Sequence, residues 1–214
     1  TGIQARIFAH YVDDSSLTKA MISGKKEDKT DVHSLNQLAL GDICRSRDDS
    51  KTFFYAWILD AGTTKTSEIL HCSLGEAREA SENFLGYYPG LSQLKKVIIP
   101  KDAKRGYFEG LDGRYVLCDS EHLMLAGYLQ NGESIIMKEA LIHWQDQLDQ
   151  EKIPYWLVNF VHDEWQTETE DDKELANYVG KVQVSAIEYV GDNLKLNCPM
   201  TGEYTIGYNW AQTH

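Results

Sequence analysis

Residues 155–172 read YWLVNFVHDEWQTETEDD, and this stretch decides the fold class of the chain. An apolar run ends at His162, Asp163 and Glu164, and a second run of strand character leads away from them. Two such runs around a tight reversal at His162–Asp163 predict a β-hairpin. Its tip would expose both carboxylates to a divalent metal ion or a substrate. A solvated turn is the alternative, because Asp favours turns through bonds to its own backbone.

Most of the remaining sequence has helical periodicity, so the predicted fold class is α+β. The turn-forming Asp112–Gly113 predicts a further hairpin in GYFEGLDGRYVLCD, residues 106–119. Asp31 and Ser73 are expected to cap helices, and Gly86 is expected just beyond a helix end. Helices are predicted over 3–23, 31–44, 47–60, 73–86, 87–99, 121–151 and 172–190, and short strands within 194–210.

Composition limits the possible functions without choosing one. The chain has 214 residues and a formal net charge of −12, which argues against nonspecific binding of nucleic acid. Residues 95–114 are locally basic and could still contact phosphates. No stretch predicts a membrane span or a secretory signal. The four scattered cysteines predict reduced thiols in a cytoplasmic protein, with neither a zinc site nor a disulfide framework.

A second candidate site follows the predicted helix over 47–60. Arg47, Lys51, Tyr55 and Leu59 recur at every fourth position and therefore share one face of that helix. Guanidinium, ammonium and phenol in succession suit a triphosphate with a sugar or base beyond it, and His33 could add a donor. An exposed basic edge on a packed helix is the alternative. Carboxylates for metal together with cations for phosphate indicate phosphoryl or nucleotidyl transfer.

Several ordered motifs along the chain resemble the C-terminal part of a family A (Pol I-like) DNA polymerase of the phage replicase type. RDDSKTFFYAW resembles the fingers-helix motif, and VHDE resembles the palm motif of the second catalytic aspartate. TGIQAR is similar to the end of the first palm motif, and DVHSLNQ to the D-x-H-x-x-x-A region. GYLQNGESIIMK and the ending YNWAQTH are similar to the helix that contacts primer-template and to the phage C-terminus.

The resemblance implies a role for each matching residue. Asp163 would bind metal and be catalytic, with Glu164 and Lys51 as further catalytic residues. Two Mg²⁺ ions are implied, together with primer-template DNA and dNTPs as partners. The carboxyl of His214 would lie near the active site. The nucleotide-binding residues implied are Gln4, His33, Arg47, Lys51 and Tyr55, and the DNA-binding residues are Arg114, Gln130 and His162.

The sequence also departs from the family pattern. The first catalytic aspartate would precede Thr1, so we expect an N-terminal part of a split or longer polymerase to supply it, together with the thumb and any exonuclease. The chain alone is then expected to be inactive. Gln4 stands where the family usually has Glu, and Leu59–Asp60 stand where Tyr–Gly is usual. The expected division is palm over 1–29, fingers over 30–118 and palm over 119–214.

Two other functions compete with the polymerase. A non-catalytic interaction module could use the same fold, but it would have no need of the full set of cations and carboxylates. A metal-dependent nuclease could use the His–Asp–Glu tip, but it would leave the helical stripe of cations unexplained.

Overall fold

The computed structural model describes residues 2–213 and confirms the predicted α+β class. Contacts divide the chain into two compact units, Thr1–Gln130 and Asn131–His214. These units differ from the expected palm and fingers boundaries, which therefore remain a prediction. The described residues include no helix that is both long and apolar enough to cross a membrane. The four cysteines, all within the described range, form no disulfide.

The chain begins with two helices where one was predicted over 3–23. Helix α1 (Ile3–Val12) ends at Asp13, whose left-handed backbone has a φ of 50°. Asp14 then caps α2 (Ser15–Ser23), since its carboxylate accepts from the backbone N–H groups of Ser16 at 2.9 Å and Leu17 at 3.0 Å. The prediction of one continuous helix was therefore wrong.

The next two helices pack against each other and carry the candidate nucleotide site. Helix α3 (Val32–Leu40) has the predicted cap at Asp31, and a short 3₁₀ turn, Gly41–Ile43, follows it. Helix α4 (Arg47–Ile58) begins at Ser46, whose hydroxyl accepts from the backbone N–H of Asp49 at 3.0 Å. It ends earlier than predicted, because Asp60 turns the chain with a φ of 71°.

Residues 63–105 complete the helical part of the first unit. The sequence did not predict α5 (Thr63–Leu70). Ser73 and Glu76 form a capping box at the start of α6 (Leu74–Tyr87), which confirms Ser73 as the cap but places Gly86 inside the helix. The predicted helix over 87–99 is α7 (Pro89–Gln93), a π turn (Leu94–Ile98) and the start of α8 (Ile99–Arg105).

One glycine allows a close packing contact in this unit. A Cβ on Gly90 in α7 would lie 1.7 Å from the carbonyl oxygen of Val12, so only glycine lets α7 approach the end of α1 so closely. The predicted hairpin follows α8, with β1 (Tyr107–Glu109) antiparallel to β2 (Tyr115–Leu117).

The second unit consists of helices and one hairpin. Helix α9 (Glu121–Gln150) begins in the first unit and ends in the second, close to its predicted bounds. Strands β3 (Trp156–Val161) and β4 (Glu164–Glu168) pair antiparallel as predicted, and α10 (Lys173–Asn193) follows. The predicted strands within 194–210 are wrong, since the described tail contains only a short helix, α11 (Trp210–Thr213).

Candidate functional site

The first part of the candidate site is an ion pair between α3 and α4. Nη2 of Arg47 donates to Oδ2 of Asp31 at 2.6 Å, and Nε donates to Oδ2 at 3.1 Å and to Oδ1 at 3.2 Å. The same carboxylate accepts from the hydroxyl of Ser34 at 2.6 Å and from the backbone N–H of His33 at 3.2 Å. Burial alone would raise the pKa of Asp31, but these bonds outweigh it and lower the pKa far below its usual value. Asp31 is therefore an anion at neutral pH.

The imidazole of His33 lies beside two aromatic rings of α4. Its centroid is 5.8 Å from that of Tyr55 and 6.1 Å from that of Phe54. Burial lowers the pKa of His33 to about 4, with the charges of Arg47 and Lys51 acting in the same direction. His33 is thus neutral at pH 7, and it would offer a ligand an N–H donor or a lone pair rather than a positive charge.

The predicted stripe on α4 is partly realised. Lys51 is exposed and Tyr55 is half-buried, one and two turns beyond Arg47, whereas Leu59 lies past the end of the helix. Burial raises the pKa of the Tyr55 hydroxyl, and a backbone hydrogen bond from Gly2 opposes this. The first unit thus brings His33, Arg47 and Tyr55 together.

The second part of the candidate site is the tip of the β3–β4 hairpin. Val161 pairs with Glu164, so His162 and Asp163 form the two-residue turn that the sequence predicted. His162 turns the chain with a φ of 52°, which non-glycine residues rarely adopt. Asp163 is exposed and Glu164 is half-buried.

Aromatic rings pack this hairpin against α9 within the second unit. Trp165 of β4 lies 5.8 Å from Trp144 of α9 and 6.2 Å from Phe160 of β3, measured between ring centroids. Gln183 of α10 also donates to the Thr167 hydroxyl at 2.8 Å. The tip therefore projects from a packed base.

The carboxylate of Glu164 has a partner that the sequence did not reveal. Nε2 of Gln166 donates to Oε1 of Glu164, and the Thr213 hydroxyl donates to Oε1 of Gln166 at 3.3 Å. The C-terminal helix α11 is thereby connected to the tip. Alternation along β4 could have placed Gln166 on the face of Glu164, because residues two apart share a face of a strand.

The acidic tip suits part of a magnesium site. Mg²⁺ prefers carboxylate oxygens, and proteins commonly bind it through one or two carboxylates with water and phosphate completing the shell. Asp163 and Glu164 supply oxygens of this kind. Within residues 2–213 no group of three or more His, Cys, Asp or Glu side chains is arranged to hold a metal ion. Asp163 and Glu164 could supply one or two of the carboxylate oxygens of such a shell.

The residues predicted to contact DNA belong to different elements of the chain. Arg114 is exposed next to β2 and forms an ion pair with Asp112, while Gln130 is exposed on α9. Both belong to the first unit, whereas His162 is exposed at the hairpin tip of the second. Gln4 is half-buried on α1. The carboxyl of His214 lies outside the described residues.

The chain belongs to DNA polymerase family A, because the model of that family matches residues 1–212. This confirms the resemblance found in the ordered motifs. The family match also agrees with a fold of helices and small antiparallel hairpins that carries cations on one helix and carboxylates on one turn.

Individual relatives agree with the family assignment. The chain is 27% identical over 237 residues to the DNA-directed DNA polymerase of Escherichia phage T7, covering 100% of this chain and 32% of the relative. Identity to the DNA-directed DNA polymerase of Escherichia phage Phieco32 is 28% over 193 residues, covering 86% of this chain and 30% of the relative. This chain thus spans about a third of the length of these phage relatives.

A solved structure supports the fold alone. The POL domain of Pol1 from M. smegmatis, in complex with DNA primer-template and dNTP, matches with a TM-score of 0.76. The two chains are 18% identical, and the match covers 93% of this chain and 36% of the other.

Proposed function

We propose that this chain is the fingers and distal palm part of a DNA-directed DNA polymerase, which adds dNTPs to the 3′ end of a primer on a DNA template. The arrangement of α3 and α4 carries the proposal. An oriented guanidinium, an exposed ammonium, a neutral imidazole and a phenol occur there at the positions of the family motif. A fold kept only for binding other proteins would not need this set.

The proposed roles follow from the charge and exposure of each side chain. Arg47 and Lys51 would bind the triphosphate, since a guanidinium gives paired hydrogen bonds and an ammonium acts as a compact charge. His33 would donate a neutral hydrogen bond, and Tyr55 would contact the sugar or base. Lys51 would also stabilise negative charge as pyrophosphate leaves. Gln4 would lie near the sugar, as the family motif implies.

Asp163 is proposed to hold metal at the hairpin tip, with Glu164 beside it. Two Mg²⁺ ions shared with an aspartate from the N-terminal part would supply an activated primer hydroxyl and a stabilised leaving group. Arg114, Gln130 and His162 are proposed to contact primer-template DNA. We also propose the division into palm over 1–29, fingers over 30–118 and palm over 119–214.

Primer extension tests the proposal. This chain is combined with a polypeptide that carries the N-terminal two thirds of the family fold, and extension of a labelled primer is followed with Mg²⁺ and dNTPs. Extension is expected only from the combination. Asp163→Ala should reduce it by at least about 10³-fold, since it removes a metal ligand of the reaction centre. Asp171→Ala is the matched control, because this exposed carboxylate lies beyond β4 and should leave the rate near that of the parent.

Other outcomes would favour the competing functions. Cleavage of DNA by this chain alone, abolished by Asp163→Ala, would favour the metal-dependent nuclease. Binding of the N-terminal part without any extension would favour the interaction module. Full activity of Asp163→Ala would contradict the proposed metal-binding role of this residue.

A further inference from the structure

Arg47 is already held by a carboxylate within its own unit. Asp31, at the start of α3, accepts three hydrogen bonds from this guanidinium. The pair is largely shielded from water, with side-chain exposures of 25% for Arg47 and 10% for Asp31. Nothing in the local spacing of the sequence reveals this contact, because the two residues lie sixteen positions apart.

The contact uses only one edge of the guanidinium. Arginine has five N–H groups, on Nε, Nη1 and Nη2. Asp31 engages Nε and Nη2, which form the inner edge. Nη1 lies on the other side, 3.8 Å from Asp48, whose side chain is 89% exposed. The edge formed by Nη1 and the second N–H of Nη2 can therefore still form a paired contact with a phosphate.

Asp31 also controls the neighbouring donor. Its carboxylate caps α3 by accepting from the backbone N–H of His33. The carbonyl oxygen of His33 in turn accepts from the buried Ser50 hydroxyl of α4 at 2.8 Å. One carboxylate thus fixes the start of α3, the side chain of Arg47 and the backbone that carries His33.

We propose that Asp31 is a positioning residue for nucleotide binding, which holds the inner edge of Arg47 so that its outer edge faces the triphosphate. This inference rests on the proposed function and deepens it. A long arginine side chain loses less conformational freedom on binding a phosphate when it is already oriented. The opposite possibility is that Asp31 competes with the phosphate for Arg47, in which case its removal would strengthen binding.

Steady-state primer extension distinguishes these possibilities. It is measured with this chain combined with the N-terminal polypeptide, here called the complete polymerase, while the dNTP concentration is varied. Asp31→Asn is the main variant, because Asn is also a good helix cap and retains the size of the side chain while removing its charge. We expect the KM for dNTP to rise by about tenfold or more, with a smaller change in kcat, since one charge-assisted contact to the ligand is no longer oriented. An unchanged KM, or a lower one, would overturn the inference.

Two further variants separate positioning from general loss of structure. Ser34→Ala removes another hydrogen bond to the same carboxylate without touching Arg47, and should change the KM by less than about twofold. Asp31→Asn combined with Arg47→Ala should bind dNTP no more weakly than Arg47→Ala alone, because Asp31 is proposed to act through Arg47. A further loss in the double variant would contradict this.

Arg47→Lys tests whether one edge of the guanidinium pairs with Asp31 while the other binds the triphosphate, even if Asp31→Asn does not fold. A single ammonium can pair with Asp31 but has no second edge for the phosphate, so its KM should match that of Arg47→Ala. A KM near that of the parent would overturn the inference. Arg47→Ala itself separates the two proposals. If it raises the KM while Asp31→Asn does not, only the role of Asp31 fails, and if it leaves the KM unchanged, the proposed triphosphate site fails as well.

Discussion

The helices α3 and α4 and the tip of the β3–β4 hairpin carry charge in different ways. On the helices, Arg47 pairs with Asp31, and a buried layer of aromatic rings lies behind both. At the hairpin tip, Asp163 is exposed, and Glu164 accepts a hydrogen bond from the side chain of Gln166. The side chain of Arg47 is thus oriented by a residue of its own unit, whereas the exposed carboxylate of Asp163 is free to contact other molecules. This difference agrees with the proposed triphosphate site on the helices and the proposed metal site at the hairpin tip.

The largest expected effect concerns the core behind the cationic helices. Phe54 is fully buried and contacts the rings of Phe8, His33 and Tyr55. Phe54→Ala should lower the free energy of unfolding by about 3–5 kcal/mol, because it removes a packed ring and leaves a cavity. Val158→Ala on β3 should change it by less than about 0.5 kcal/mol, since this side chain is 58% exposed. Urea unfolding followed by circular dichroism measures both, and equal losses would remove the distinction between the two regions.

The next effect concerns function rather than stability. Lys51→Ala in this chain combined with the N-terminal polypeptide should lower kcat/KM for dNTP by about 10²-fold, because it removes an ammonium that is proposed to stabilise the developing charge. Lys65→Ala is the matched control, since Lys65 is an exposed lysine on α5 that pairs only with the nearby Glu68 among its described contacts. It should have little effect in single-nucleotide incorporation. A similar loss in both variants would indicate that Lys51 contributes only general positive charge.

Local patterns in the sequence predicted the hairpin tip and the stripe on α4. The turn at His162–Asp163 follows from adjacent strand-like runs, and the alignment of Arg47 with Lys51 follows from the helical repeat. The sequence signal for the break between α1 and α2 was equally local, because two consecutive aspartates before two serines are a plausible helix cap. The prediction of one helix gave more weight to the apolar repeat than to this signal.

Contacts between elements could not be predicted in this way. The bond from Arg47 to Asp31 depends on how α3 packs against α4, and the bond from Thr213 to Gln166 depends on where the C-terminal tail lies. The neutral state of His33 follows from burial, which only the packed structure reveals. Sequence thus predicted the candidate ligands, while their partners and protonation states required the three-dimensional structure.

The smallest effect is a pH dependence of stability that should arise in the first unit. His33 has a pKa near 4 in the folded state, against about 6.5 for an ordinary histidine, because burial disfavours its charged form. The unfolded chain therefore binds more protons between these values, and stability should fall as the pH is lowered through 6.5 towards 4. From pH 7 to pH 6, linkage gives a loss of roughly 0.7 kcal/mol from His33 alone.

Urea unfolding at pH 7 and pH 6 of the parent chain and of His33→Gln tests this effect. The variant should lose less stability over this interval, because it has no imidazole to protonate at this position. Burial also lowers the pKa of His10, with the charge of Asp13 opposing, so His10→Gln should remove a separate part of the loss. An unchanged loss in His33→Gln would mean that His33 is protonated in the folded protein at pH 6. At this pH His33 would then add a positive charge to the proposed triphosphate site, beside those of Arg47 and Lys51.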